Sequence, residues 1–229
     1  MFDREINMTF IQKFWGLFFI LWVAGFSNAE GWELIDEQEG ITASRKAVEN
    51  SDLVAFRGEG LVDASMARIV AVLMDHKHKD KWVDRLYVSR ELESLGEMET
   101  IQYAAFKMPL VVSNRDFVYH YDIQYVKETG GVDVYIKSVE HASAPKTVGV
   151  RGTLNSSRYT MLPREGGAKT FLVAEMHADP KGWLPTWLVN ALQKKWPIKT
   201  IKGLREQVKK PYYKDYQVIV NILKSEANR

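Results

Sequence analysis

Residues 179–197 read DPKGWLPTWLVNALQKKWP, nineteen residues that hold three tryptophans, three prolines and two adjacent lysines. A helix that only filled a core would have no use for this mixture. Proline is tolerated at the first turn of a helix, where its missing N–H has no partner to lose, and kinks a helix elsewhere. Asp179 to Gly182 therefore read as a turn, Pro185 as the first turn of a helix from Leu184 to about Lys209, and Pro197 as a kink in that helix. Leu184, Trp187 or Leu188, Ala191, Leu192, Ile198 and Ile201 would form its inward stripe.

Upstream of this helix the chain alternates. GWELIDE (31–37), ITASRKAV (41–48) and LVAFRGEGLVD (53–63) read as three strands. A helix follows, with Asp63 as its expected N-cap and Met66, Ile69, Val70, Leu73 and Met74 at helical spacing. HKHKDKW (76–82) reads as a charged, solvated turn that closes it. Six more strands are expected at 85–92, 98–107, 115–127, 132–140, 151–162 and 169–178, with turns at Gly96, Gly130-Gly131 and Gly166-Gly167. Strands joined by short turns imply an antiparallel meander, and only the two helical segments are available to cover its apolar face, so the class is α+β. In RDFVYHYDIQYVK, Phe117, Tyr119, Tyr121, Ile123 and Tyr125 share one face. That aromatic face suits either a lined pocket or a filled core.

The chain has 229 residues, 46% hydrophobic and 26% charged, which fits one domain with a substantial core. A net charge of +2 from 31 basic and 29 acidic residues gives no general attraction to nucleic acid. The absence of cysteine removes thiol catalysis, disulfides and cysteine-ligated metal. Residues 1–29 carry a charged start, the apolar run Phe14–Phe26 and the small residues Ser27 and Ala29, the pattern of a signal peptide, with Glu30 as the expected mature N-terminus. The run is shorter than the roughly 20 residues of a membrane span. The expectation is an exported protein, periplasmic in a Gram-negative bacterium and otherwise secreted.

RDFVYHY at 115–121, followed about sixty residues later by DPKGWLPTWLVN at 179–190, resembles the START domain, the steroidogenic acute regulatory protein-related lipid transfer module. The resemblance covers about Trp32 to Lys210, giving a domain at 30–210 and a tail at 211–229. It implies a helix-grip fold: a curved antiparallel β-sheet wrapped around a long C-terminal α-helix, enclosing a hydrophobic tunnel for one lipid. Gln102, Ala104, Phe117, Tyr119 and Tyr121 from the sheet, and Trp187, Leu188, Ala191 and Leu192 from the helix, are the ligand-binding residues it suggests. Related sterol carriers place an acid and an arginine inside the tunnel. The matching positions here hold Gln102 and Tyr121, an uncharged pair suited to a single hydroxyl or carbonyl. Ala104, Ala105 and Gly152 leave room for a bulky ring system. The loop at 107–114, with Met108, Pro109, Leu110 and Val111, corresponds to the tunnel lid. The implied function is non-enzymatic binding and transfer of a sterol-like or other hydroxylated lipid by a monomer, with no cofactor.

Lys194, Lys195, Lys199 and Lys202 crowd the same helix, with Arg205, Lys209 and Lys210 beyond them. They form either a solvated face or, with Trp183 and Trp187 at the interfacial level, a contact for anionic membrane. Arg115-Asp116 reads as a structural pair at a strand start. The alternative function is a polyketide aromatase/cyclase-like enzyme using the same cavity, with Glu175 and His177 as acid and base. The sequence has no G-x-S-x-G, H-E-x-x-H or phosphate-cradling glycine loop. His76 and His78 lack a third ligand beyond Asp75 and Asp80, so no metal site is assigned. The apolar cluster at 218–223 in the tail suggests either a short closing element packed on the domain or a partner-docking segment.

Overall fold

The computed structural model describes residues 31–109 and 112–228. The expected leader, and Leu110 and Val111 of the expected lid, lie outside the described residues. The chain forms β1 (Glu33–Gln38), β2 (Ile41–Lys46), β3 (Ala55–Val62), α1 (Met66–Met74), β4 (Leu86–Ser94), β5 (Glu99–Phe106), β6 (Arg115–Val126) and β7 (Gly131–Ser138). It continues through the two-residue β8 (Val150–Arg151), β9 (Thr153–Arg164), β10 (Lys169–Asp179), α2 (Thr186–Gln193), α3 (Trp196–Gln207) and α4 (Gln217–Ala227).

The strands make one sheet in the order β1-β2-β3-β10-β9-β7-β6-β5-β4, antiparallel throughout, while β8 runs parallel beside β6. The two sequence blocks of strands are therefore one surface, joined where β3 pairs with β10, Leu61 opposite Phe171. Ile41 and Ala43 near one edge and Leu86 and Ala104 near the other meet in a single core with Ile198, Ile201 and Leu204 of α3. A flat sheet could not bring both edges to one helix; the antiparallel sheet grips α3, the helix-grip α+β fold.

Local sequence explains the helices, with three differences from expectation. The N-cap of α1 is Ser65, whose Oγ accepts from the Arg68 N–H at 3.1 Å, not Asp63. Ser65 stands one residue before the helical dihedrals begin, the position from which a short oxygen reaches the third amide. The long C-terminal helix is two helices, broken at Lys194-Lys195. Within a helix Pro197 would leave a carbonyl unpaired and clash with the turn before it; placed in the first turn of α3 it does neither. Pro185, expected inside the first turn of a helix beginning at Leu184, instead stands just outside α2 as its N-cap, its ψ of 133° extended and its carbonyl accepting from the Val189 N–H at 3.2 Å.

A glycine seats α3 on the sheet. A Cβ on Gly58 of β3 would lie 2.9 Å from Cβ of Pro197, a separation that carbon atoms do not reach. The tail is a closing helix: α4 packs on α1, with Ile219 fully buried, the Tyr216 N–H on the Ala67 carbonyl at 3.0 Å, and Arg68 on Asp215 at 2.7 Å.

Candidate functional site

Between the concave face of the sheet and the C-terminal helices lie two adjoining cavities, of about 130 and about 210 Å³, which share Phe106, Phe117, Met176, Trp196 and Thr200 in their walls. The inner one is closed by Tyr119 and Tyr121 of β6, Ser157 and Tyr159 of β9, and Lys79. The outer one opens between Met108, Arg115 and Pro180 on one side and Leu184, Val189, Leu192 and Gln193 on the other. Phe117, Tyr119 and Tyr121 thus stand in the wall because alternate residues of a strand face one way. Farther along the same face, Ile123 packs in solid core.

The polar end of the inner cavity was not expected. Lys79, which the sequence places in a solvated turn, is 3% exposed. Its Nζ donates to Gln102 Oε1 at 2.8 Å and to the Tyr121 hydroxyl at 2.9 Å, and lies 4.5 Å from the centre of the Tyr121 ring. A short 3₁₀ turn at Lys79–Lys81 turns this one lysine of the turn inward, while Lys81 is exposed and lies 3.2 Å from Asp80. Desolvation, only partly opposed by Asp75, lowers its pKa to about 7. The hydroxyls of Tyr119, Tyr121 and Tyr159 are pushed well above their usual range by the same burial.

Gln102 and Tyr121 are therefore joined, though not as cross-strand neighbours. Gln102 lies opposite Tyr119, and Tyr121 opposite Thr100; the lysine from another element bridges them. Gln102 is fully buried behind Lys79 and is not itself a cavity wall. Ala104 belongs to the packed core, and Gly152 is filled by the Phe117 ring, which lies 2.5 Å from where its Cβ would be. Neither widens the chamber as expected.

On α2, Leu192 lines the outer cavity, but Trp187 and Ala191 face a separate outer groove against Leu34 and Phe56. Leu188 is partly buried and walls neither cavity. The expected stripe ran through Trp187 or Leu188, Ala191 and Leu192, whereas the residues of α2 that line the outer cavity are Val189, Leu192 and Gln193. Trp183 and Trp187 are 93% and 70% exposed. Lys194 and Lys195 are exposed and form no ion pair among the described residues, whereas Lys199 is held by Asp84 at 2.9 Å and Lys202 by Glu39 at 2.8 Å. The expected basic patch shrinks accordingly.

Asp116 is fully buried and accepts from Arg151 Nε at 2.5 Å, the Tyr103 hydroxyl at 3.1 Å and the Val148 N–H at 3.0 Å, a knot that ties β8 to β6. Glu175 and His177 wall neither cavity: Glu175 lies 3.6 Å from Arg57, and His177 contacts Ser51 at 3.3 Å. His78 bonds Asp75 at 2.5 Å and stacks on Tyr212, and no group of three or more metal-ligating side chains occurs among the described residues.

Residues 25–212 match the START domain family. The chain is 28% identical over 189 residues to an uncharacterised protein of Pseudomonas aeruginosa, covering 82% of this chain and 92% of that one. It is 26% identical over 163 residues to the phosphatidylcholine transfer protein of Rattus norvegicus, covering 69% and 75%. A solved fragment of a STAR-related lipid transfer protein from Xanthomonas axonopodis superposes with a TM-score of 0.70 at 30% identity, over 79% of this chain and 99% of that one.

Proposed function

Because the chain belongs to the START domain family, we propose that it binds a single lipid in the two adjoining cavities and transfers it between membranes without chemical change. The observation that carries this reading is an apolar chamber closed at its inner end by one buried cluster of Lys79, Gln102 and Tyr121. Such a chamber holds an apolar body by burial and fixes its orientation through one polar end. The ammonium form of Lys79 has one N–H left for a ligand acceptor, and a hydroxyl or carbonyl on a sterol-like or similarly hydroxylated lipid supplies one. A glycerophospholipid is the second reading, favoured by the charge on Lys79 and by what the rat relative is named for.

Met108 on one side and Leu184, Val189 and Leu192 on the other line the mouth of the outer cavity and would act as its gate. Trp183, Trp187, Lys194 and Lys195 are exposed on and next to α2 and would meet an anionic bilayer surface during exchange. Export of a monomer through the 1–29 segment, to the periplasm where an outer membrane exists, completes the proposal: such a carrier moves cargo across an aqueous gap.

The test is mass spectrometry of organic extracts after incubation with a mixed pool of sterols and phospholipids. One bound lipid per chain, displaced when Phe117→Trp fills the shared wall, supports the carrier. A chain that stays empty, in the pool and as purified from its host, overturns it. The class of the bound species decides between the two ligand readings.

A further inference from the structure

The Lys79 amine is placed for more than hydrogen bonding. Its nitrogen has three directions besides its own carbon, and Gln102 Oε1 and the Tyr121 hydroxyl occupy two of them. The third is left for the chamber, of which Lys79 is a wall. Among the described residues no carboxylate bonds the nitrogen, and Asp75, whose charge partly opposes the desolvation, bonds His78 instead. The wall of that chamber is mainly apolar, Trp82, Leu86 and Ile136 among it, with hydroxyl groups from Ser157, Tyr159 and Thr200.

We propose that Lys79 is a covalent capture site, forming a reversible imine with an aldehyde- or ketone-bearing lipid held in the inner cavity. The proposal rests on the cavity being a lipid chamber. In the step, the lone pair of neutral Nζ attacks the carbonyl carbon, a C–N bond forms and the carbonyl π pair moves to oxygen. A proton leaves nitrogen for that oxygen, relayed by the Tyr121 hydroxyl, to give a carbinolamine. The C–O bond then breaks, the oxygen departs as water with the second nitrogen proton, and C=N remains. One amine and one carbonyl become one imine and one water; nothing is oxidised or reduced. Hydrolysis runs the same path backwards and frees the lipid unchanged.

Placement and reactivity agree. An ordinary lysine is almost wholly ammonium at neutral pH and has no lone pair to use, whereas desolvation leaves Lys79, at about 7, near half neutral. Its neutral fraction exceeds that of an exposed lysine by on the order of a thousandfold. A desolvated lysine in a hydrophobic pocket is the form in which lysines act as nucleophiles on carbonyl compounds.

The experiment treats the protein with hexadecanal and cyanoborohydride at pH 7, which reduces any imine to a stable secondary amine, followed by intact-mass measurement and peptide mapping. One alkyl group per chain on Lys79, forming at least about tenfold faster than on any exposed lysine, is the expected result. Lys79→Met abolishes that adduct and Tyr121→Phe slows it. The wild-type peptide map stands even if a variant fails to fold. In parallel, native mass spectrometry with hexadecanol, which cannot form an imine, reads occupancy alone. Hexadecanol bound while hexadecanal and cyanoborohydride leave Lys79 unmodified, or alkylation spread over exposed lysines, overturns covalent capture and leaves the lipid chamber standing. Neither occupancy nor adduct overturns both.

Discussion

Lys79 Nζ donates to Gln102 Oε1 over 2.8 Å in a buried position, and desolvation there lowers a base of usual value near 10.5 to about 7. A base whose folded value lies below its unfolded value binds more protons unfolded, so its burial opposes folding fully below pH 7 and less as pH rises toward 10. Lys79→Met removes that opposition. Its stability gain should be on the order of 3–5 kcal/mol at pH 6 and about 2–3 kcal/mol smaller at pH 9. Above pH 10 the trend reverses for both proteins, because Tyr119, Tyr121 and Tyr159 hold protons that the unfolded chain releases. Urea unfolding of both proteins at pH 6 and 9 measures this; a gain that does not change with pH would show that Lys79 titrates as an exposed lysine.

Gly58→Ala sets a side chain against the Pro197 ring, whose Cβ would stand 2.9 Å away. Neither backbone can yield freely, since Gly58 lies opposite both Ala43 and Ala174 in the middle of the sheet. A loss of about 1–3 kcal/mol is expected, which for a chain of this size is roughly 2–12 °C in Tm. Because Trp196 and Thr200 flank Pro197 and wall the chamber, lipid occupancy should fall as well. Unchanged thermal unfolding would mean α3 rides on the sheet without being seated there.

These two sites differ in how legible they are in the sequence. The strands announce themselves because residues of a half-buried strand alternate, and the turns because Gly130 and Gly166 adopt left-handed dihedrals, with φ of 62° and 66°. The aromatic face of β6 follows from the same period. Lys79 does not announce itself: in HKHKDKW every residue reads as solvated, and the 3₁₀ turn at Lys79–Lys81 brings it to Gln102 of β5 and Tyr121 of β6. The outward turn of Trp187 and Ala191 was hidden for a related reason. A helical wheel extends through Lys194-Lys195 without interruption, while the chain breaks there.

Trp183 and Trp187 are large apolar side chains exposed just before and on α2. Replacing both with alanine should leave the unfolding free energy within about 0.5 kcal/mol of the parent, since little packing is lost. Binding to vesicles containing phosphatidylserine should weaken, and Lys194→Glu with Lys195→Glu should weaken it further, each cation contributing about 1 kcal/mol near an anionic surface. Lys199→Glu should matter less to the membrane, being already paired with Asp84. Vesicle sedimentation at low and high salt separates the two contributions; binding that ignores all four changes would assign the tryptophans another role.

Arg115 is 3% exposed and has carbonyls rather than a carboxylate for partners. Its guanidinium donates to Pro180 O at 3.0 Å and Lys181 O at 2.9 Å on the turn before α2, and to Ser113 O in the 107–114 loop. One side chain therefore ties together the two edges of the gate, and burial lowers the pKa of the group that does so. A planar fork can hold three carbonyls at fixed angles, whereas an ammonium on a flexible stem cannot. Arg115→Lys keeps the charge and loses the geometry, leaving about two hydrogen bonds unmade at roughly 1–2 kcal/mol in stability. The larger effect should be on the gate: faster exchange of bound lipid and faster proteolysis within 107–114, with the amount of lipid bound at equilibrium little changed. Stopped-flow transfer between vesicles reads the first and limited proteolysis the second. An unchanged transfer rate alongside the stability loss would reduce Arg115 to a structural tie and move the gating step to α2 itself.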